Sequence, residues 1–187
     1  MGDPRELNLK RPLLILDLDE TLISASEEPP SGHHDFLCGP YFIRKRPFAG
    51  SFLAAVALSY DLAAWTSATE AYARCVAEHL FDRVSLAFLW ARPRCTLRRD
   101  PCGPEEYFVK DLKKVRRAGY DLRRVLVVDD SLRALERHRG NLVQVRPFTG
   151  DPGDQELEHL AAYLIRIAGS DDFRRVEKRA WRAAAID

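Results

Sequence analysis

This chain has almost no net charge, no long apolar run and no closely paired cysteines. Its 29 Lys and Arg stand against 28 Asp and Glu, a formal charge of +1 over 187 residues. No global field therefore argues for nucleic acid or an acidic membrane surface. No apolar run approaches the roughly 18 residues of a membrane span. The N-terminal Met-Gly-Asp-Pro-Arg-Glu lacks the apolar core of a signal peptide. The expected location is the cytoplasm. The four cysteines, Cys38, Cys75, Cys95 and Cys102, are irregularly spaced and form no C-x-x-C pair, so a zinc site or redox motif has little support. Cys75 falls in a helical pattern and reads as a small core residue. Cys95 and Cys102 flank a basic loop, where metal binding is an alternative, but reduced bystanders are the expectation. Internal repeats and low-complexity tracts are absent as well.

What is present is an ordinary globular composition, 46% hydrophobic and 30% charged, and a length that suits one domain over residues 1–187. Residues 1–11 read as a polar lead-in. Leu13-Leu14-Ile15-Leu16 runs into Asp17-Leu18-Asp19, so a strand is expected over 12–18. An unbroken aliphatic run is the mark of a strand covered on both faces, as in a parallel sheet. Carboxylates at i and i+2 on extended backbone point the same way, with Leu18 turned into the fold. Two acids at the end of such a strand are costly unless they hold a metal or do chemistry.

Asp19 to Ser26 reads as a loop, and Glu27 to Pro40, rich in Pro, Gly, Ser and His, as an irregular excursion near the site. His33-His34 within it is expected to be solvated rather than ligating. A short strand is predicted at 41–46, and a helix opening at Pro47 and running to about Ser59, with Phe48, Phe52, Leu53, Val56 and Leu58 on its apolar face. Asp61 to Trp65 reads as a strand ending in Thr66-Ser67. Thr69 to Phe81 reads as a helix with Thr69 as N-cap; Tyr72 and Trp65 are assigned to the core. Further strands are predicted at 84–91, 124–128 and 142–145, with helices at 110–118, stopped by Gly119, and at 154–168. Residues 92–106 form a loop or small hairpin insert. Residues 171–187 are expected to be a charged helical tail.

Strands alternating with helices predict an α/β fold with a mainly parallel sheet flanked by helices. Ligands of such sheets sit beyond the carboxyl ends of the strands. Asp17, Asp19, Thr66 and the pair Asp129-Asp130, which ends the strand at 124–128, all lie at such ends. Carboxylates gathered at one edge need a cation, and hard oxygen ligands without His or Cys favour Mg²⁺. An aspartate beside Mg²⁺ is a nucleophile type for phosphorus.

These residues carry a family resemblance. Asp17-Leu18-Asp19-Glu20-Thr21 resembles the D-x-D-x-T motif of haloacid dehalogenase superfamily phosphatases; Thr66-Ser67, Lys110 and Asp129-Asp130 resemble their second, third and fourth motifs. Arg46-Pro47, Trp65-Thr66-Ser67 with Tyr72-Ala73, Val109-Lys110-Asp111-Leu112 and Val127-Val128-Asp129-Asp130-Ser131 are similar, in order, to the small phosphatases of the RNA polymerase II C-terminal domain. The resemblance covers about residues 12–165. It implies a Rossmann-like sheet and a Mg²⁺-dependent phosphatase acting on a phosphoprotein or small phosphomonoester. It also implies Asp17 as nucleophile, Asp19 as acid–base group, Thr66, Ser67 and Lys110 on the phosphoryl group, and Mg²⁺ held by Asp17, the Asp19 carbonyl, and Asp129 or Asp130. Leu132 departs from the family's proline, and the excursion after the first motif is short and polar where the family's is apolar. The arginines Arg92, Arg94, Arg98 and Arg99 read as anion contacts or as a solvated basic loop. The rival readings are a phosphoacceptor signalling domain, a silent binding module, and a phosphatase of metabolites or nucleic-acid ends. Asp19 argues for turnover over a stored phosphate, and the near-neutral charge disfavours nucleic acid.

Overall fold

A computed structural model describes residues 11–183, apart from Ser31 and Pro101; all of the proposed polar lead-in except Arg11, and the last four residues of the tail, lie outside it. The chain enters the core as β1 (Leu13–Leu16), all four side chains of which are buried. Three short strands follow, β2 (Ile23–Ser26), β3 (Phe36–Cys38) and β4 (Tyr41–Lys45), then α1 (Ala49–Val56), β5 (Asp61–Trp65), α2 (Glu70–Leu80) and β6 (Leu86–Trp90). The insert is a hairpin of β7 (Thr96–Arg99) and β8 (Glu106–Val109). After it come α3 (Lys113–Arg117), β9 (Val125–Asp129), β10 (Leu142–Gln144) and α4 (Glu156–Ile167).

The main sheet has the order β10-β9-β1-β5-β6, and every pairing is parallel. After β1 the chain builds outward through β5 and β6, then returns to β1's other side for β9 and β10. β1 is thus the switch point of a doubly wound fold, where a crevice opens beyond the strand ends. Alternation of side chains sorts the aliphatic residues into two layers. Leu14, Leu16, Leu62, Ala64, Leu126 and Val128 join one core with Phe52, Val56, Leu160 and Leu164 of α1 and α4. Leu13, Ile15, Ala63, Trp65, Val125 and Val127 join a second with Leu112 and Val115 at α3. A strand covered on both faces has no polar side to show, which is why these segments read as continuous apolar runs.

The structure corrects several expectations. β1 stops at Leu16, because the chain winds into a tight turn in which the Leu18 carbonyl accepts the N–H groups of Leu22 (2.8 Å) and Ile23 (3.1 Å). The loop and excursion after it contain β2 and β3, which flank β4 in an antiparallel sheet of order β2-β4-β3. Phe48 precedes α1 with a left-handed backbone (φ 65°) and is exposed, and Leu58 lies past the helix end and is more exposed still, so neither is on its apolar face. Lys110 is not helical: it follows β8 directly, and α3 starts three residues later. The tail forms one 3-10 turn (Phe173–Arg175) rather than a helix, because Phe173 and Trp181 are drawn into the core. Cys75, expected as a small core residue, is half-buried against the core beside Cys38. They form a disulfide that ties β3 to α2. Cys95 and Cys102 are free thiols. Among the described residues no helix is long and apolar enough to cross a membrane.

Candidate active site

Beyond the carboxyl ends of β1, β5 and β9 lies a cleft of about 290 Å³ whose lining includes Asp17, Asp19, Thr66, Lys110, Asp129 and Asp130. Asp129 is the last residue of β9, and the Asp17 N–H continues the ladder to the Val128 carbonyl at 3.0 Å. Sheet pairing alone therefore sets the two carboxylates side by side. Lys110 reaches between them, its Nζ 2.5 Å from Asp17 Oδ1 and 2.7 Å from Asp129 Oδ2. Its own N–H is anchored on the Ala134 carbonyl at 2.7 Å. The Ser131 N–H donates to the other Asp129 oxygen at 2.9 Å.

Lys110, Asp17 and Asp129 are all buried. Burial alone would push the Lys110 ammonium down, but the Asp129 and Asp17 carboxylates overcome this and hold it above its ordinary range. Burial raises Asp17 well above the usual carboxylate range, with Asp129 and Asp19 adding to the shift and Lys110 opposing it. Asp130 is raised by burial and by Asp129 beside it. Two buried acids on one ammonium, with half-buried Asp130 beside them, leave an excess of negative charge that is costly without further positive charge. Asp17, Asp129 and Asp130 each offer an oxygen within 4.8 Å of the others'. An all-oxygen, negatively charged set of this kind fits Mg²⁺.

Asp19 has a different environment. Its side chain is outside that triad: Oδ1 accepts the Tyr72 hydroxyl at 2.6 Å and Oδ2 the Thr66 hydroxyl at 3.4 Å. The turn that aims it is unusual, since Glu20 holds φ 57°, a left-handed conformation rare outside glycine. Backbone bonds brace that residue on both sides, Glu20 N–H to the Ile23 carbonyl (2.8 Å) and Phe148 N–H to the Glu20 carbonyl (2.7 Å). Thr66 is buried and its hydroxyl also accepts the Ala68 N–H; Ser67 lines the cleft beside it.

Tyr72 is therefore not the plain core residue expected from its helical spacing. Burial, then the Asp19 charge, push its phenol far above the ordinary range, so it is a hydrogen-bond donor. It lies in the first turn of α2, three residues after the N-cap Thr69, where helical spacing gives no sign of this contact. Thr21 donates to Asp130 at 3.3 Å, and Arg133 lines the cleft mouth while pairing with Asp100 at 2.8 Å; Thr21 closes the D-x-D-x-T motif, whereas Arg133 has no distinctive local pattern. Of the insert's arginines, Arg92 lies beside the cleft, lining a small pocket with Asp19 and Tyr72. Arg92 donates to the Ser67 carbonyl and stacks on Phe108, Arg94 stacks on Trp90, and Arg99 pairs with Glu106. Cys95 is half-buried, and burial pushes its thiol up, away from the thiolate a metal would need.

A doubly wound sheet whose central strand leads to two differently housed aspartates, with a lysine between the first and a second acid pair, defines a phosphatase of the haloacid dehalogenase class. The chain belongs to the NLI interacting factor-like phosphatase family, whose model matches residues 12–174. It is 30% identical over 195 residues to CTD nuclear envelope phosphatase 1B of Danio rerio, covering 92% of this chain and 73% of that protein. It is 30% identical over 167 residues to the Homo sapiens carboxy-terminal domain RNA polymerase II polypeptide A small phosphatase 1, covering 85% and 60%. In fold it is similar to Fcp1, an RNA polymerase II CTD phosphatase, with a TM-score of 0.58 at 20% identity over 95% of this chain and 62% of that one. A fission yeast Fcp1 bound to beryllium fluoride gives 0.57 at 21%, covering 94% and 50%.

Proposed function

We propose that this chain is a Mg²⁺-dependent phosphatase of phosphoserine or phosphothreonine in proteins, working through an aspartyl-phosphate on Asp17. The observation that carries the reading is the different housing of the two aspartates. Asp17 is clamped by an ammonium that neutralises charge around a transferring phosphoryl group. Asp19 stands clear of that clamp, between two hydroxyls, where a proton can be passed. Asp17 attacks phosphorus as the ester P–O bond breaks, and Asp19 gives the departing oxygen its proton. Asp19 then takes a proton from the water that attacks the acyl phosphate, releasing inorganic phosphate and restoring Asp17. Thr66, Ser67 and Lys110 hold the phosphoryl oxygens, so that catalysis rests on position and charge. Asp17, Asp129 and Asp130 would hold Mg²⁺, which when bound would neutralise charge as one anion approaches another.

The relatives named for polymerase and nuclear-envelope phosphatase activity favour a protein substrate over a metabolite. The test is phosphate release from an aryl phosphate, from phosphopeptides and from a metabolite panel, with and without Mg²⁺, for wild type and Asp17→Asn. Metal-dependent turnover lost in the variant and strongest on phosphopeptides is expected. Metabolites as the better substrates would reassign the class, and a phosphoenzyme that persists in the wild type would favour a phosphoacceptor domain.

A further inference from the structure

A cavity of about 720 Å³, larger than the acidic cleft, is a basic groove between the main sheet's edge strand β10 and the segment after α4. Six cations line it: Arg139, Arg174, Arg175, Lys178, Arg179 and Arg182. The single acidic residue of the lining is Glu177. Behind the wall, Asp172 pairs with Arg174 at 2.7 Å and Glu156 pairs with Arg182. Lys178 is buried and donates to the Phe173 and Val176 carbonyls, and burial lowers its ammonium. Six positive groups against three carboxylates leave the groove positive in a chain whose overall charge is only +1. The excess is held by exposed side chains: Arg139 and Arg179 have no carboxylate partner among the described residues, and Arg175 has only a 3.9 Å approach to Asp172 while almost fully exposed.

The groove is held open by firm anchors. Trp181 is buried and its indole N–H donates to the Gln144 carbonyl at 2.8 Å, and the Tyr163 hydroxyl donates to the Glu177 carbonyl at 2.7 Å. The cations are thus presented on a docked segment rather than on a free tail. The groove also adjoins the catalytic cleft. Ser131 lines the cleft and the next residue, exposed Leu132, lines the groove. Gln144, in the groove wall, donates to the Asp130 carbonyl at 2.9 Å. A chain leaving the cleft over Leu132 would enter a row of guanidinium groups, whose planar forks suit phosphate and carboxylate oxygens.

We propose that this groove is an accessory anion site which binds an acidic or further phosphorylated stretch of the same polypeptide whose phosphomonoester occupies the cleft. The proposal rests on the phosphoprotein reading above and names the substrate class more narrowly. A recessed channel beside an edge strand suits an extended peptide better than a flat lipid surface. Among the described residues no aromatic side chain lines it, which disfavours single-stranded nucleic acid, whose bases stack.

The test compares one phosphoserine peptide with and without a second phosphoserine or a short run of glutamates, placed at several spacings on either side. Turnover is measured for wild type and for the double charge reversal Arg139→Glu with Arg179→Glu; both residues are exposed, so folding should be preserved. In wild type the acidic stretch should lower KM about tenfold with kcat little changed, and the gain should shrink as salt rises. The reversed variant should lose that gain while hydrolysing an aryl phosphate at the wild-type rate. An acidic stretch with no effect at any spacing, or an advantage that survives the reversal, overturns the proposal. If the aryl phosphate is not hydrolysed at all, the phosphatase reading fails separately. Peptide binding by fluorescence anisotropy, read for Asp17→Asn with and without the reversal, then still decides the groove. Tighter capture by the groove of phosphatidylserine vesicles or of an oligonucleotide than of the peptide would overturn it in favour of another ligand class.

Discussion

At the scale of single residues, the candidate site turns on two hydrogen-bond donors that treat the two aspartates differently. Lys110 neutralises Asp17 and Asp129 together, and a methionine of similar length would leave two buried carboxylates facing each other. Lys110→Met should lower kcat by about 10²–10³-fold, the scale of losing one preorganised charge contact to a developing anion, as read from phosphate release at saturating Mg²⁺. Tyr72 donates to Asp19 instead, and its hydroxyl (2.6 Å from Oδ1) would orient the group proposed to protonate the leaving oxygen. Tyr72→Phe should therefore matter in proportion to the need for that proton. A loss of about tenfold in kcat is expected with a phosphoserine peptide, whose leaving alkoxide is poor, and a much smaller one with p-nitrophenyl phosphate. Equal losses on both substrates would show Tyr72 to be packing alone. Asp17, Asp19, Thr66 and the pair Asp129-Asp130 are legible in sequence because each sits where an apolar strand run stops, and Lys110 only through the order of the motifs. Tyr72 is not, because a tyrosine at helical spacing looks the same whether its hydroxyl meets solvent, core or carboxylate.

At the scale of elements, two links outside the main sheet hold the small antiparallel sheet and the helices in place. Arg46, just after β4, is buried, and its guanidinium forks onto Asp154 at 2.9 and 2.8 Å while donating to the Thr21 carbonyl at 3.0 Å. Asp154 in turn accepts the Glu156 N–H at the start of α4. Burial opposes its ionisation, but these bonds prevail and hold Asp154 below the ordinary value of 3.8. A carboxyl lowered on folding stabilises fully above its unfolded pKa, and the contribution is lost as pH falls through the folded one. Asp154→Asn should thus cost about 3–5 kcal/mol at neutral pH by stranding a buried guanidinium. In urea melts the gap to wild type should narrow only below about pH 4. The second link is the Cys38–Cys75 disulfide, closing a loop of sequence separation 37 between β3 and α2. Loop-closure entropy puts its contribution at about 4 kcal/mol, so a reducing agent should lower the melting temperature of wild type and leave Cys38→Ala with Cys75→Ala unchanged. Neither link is visible in the chain as written. Spacing says nothing about which cysteines meet across a sheet, and the strands β2 and β3, three or four residues long with exposed positions, carry too little apolar pattern to be told from loop. The buried strands β1, β5 and β9 are legible for the opposite reason, their residues being apolar on both faces.

At the scale of the molecule, charge is distributed against the average. An acidic cleft and a basic groove share the loop 129–132 in a protein of formal charge +1. Filling the cleft with Mg²⁺ should relieve the repulsion among Asp17, Asp129 and Asp130 and stabilise the native state as a whole. At a hundredfold excess over Kd the gain is about 2.7 kcal/mol, read as a rise in melting temperature that EDTA reverses and that Asp129→Asn abolishes. A further consequence follows from placing β1 between β5 and β9. The contacts that make up the candidate site join residues 47, 93 and 109 apart in the chain, from Thr66 to Asp19, Lys110 to Asp17 and Thr21 to Asp130. The set is complete only when both of β1's neighbours have paired with it. In folding kinetics such distant closures come late and make for slow folders. Recovery of phosphatase activity after dilution from denaturant should accordingly trail the return of helical circular dichroism, with no partly active intermediate between them.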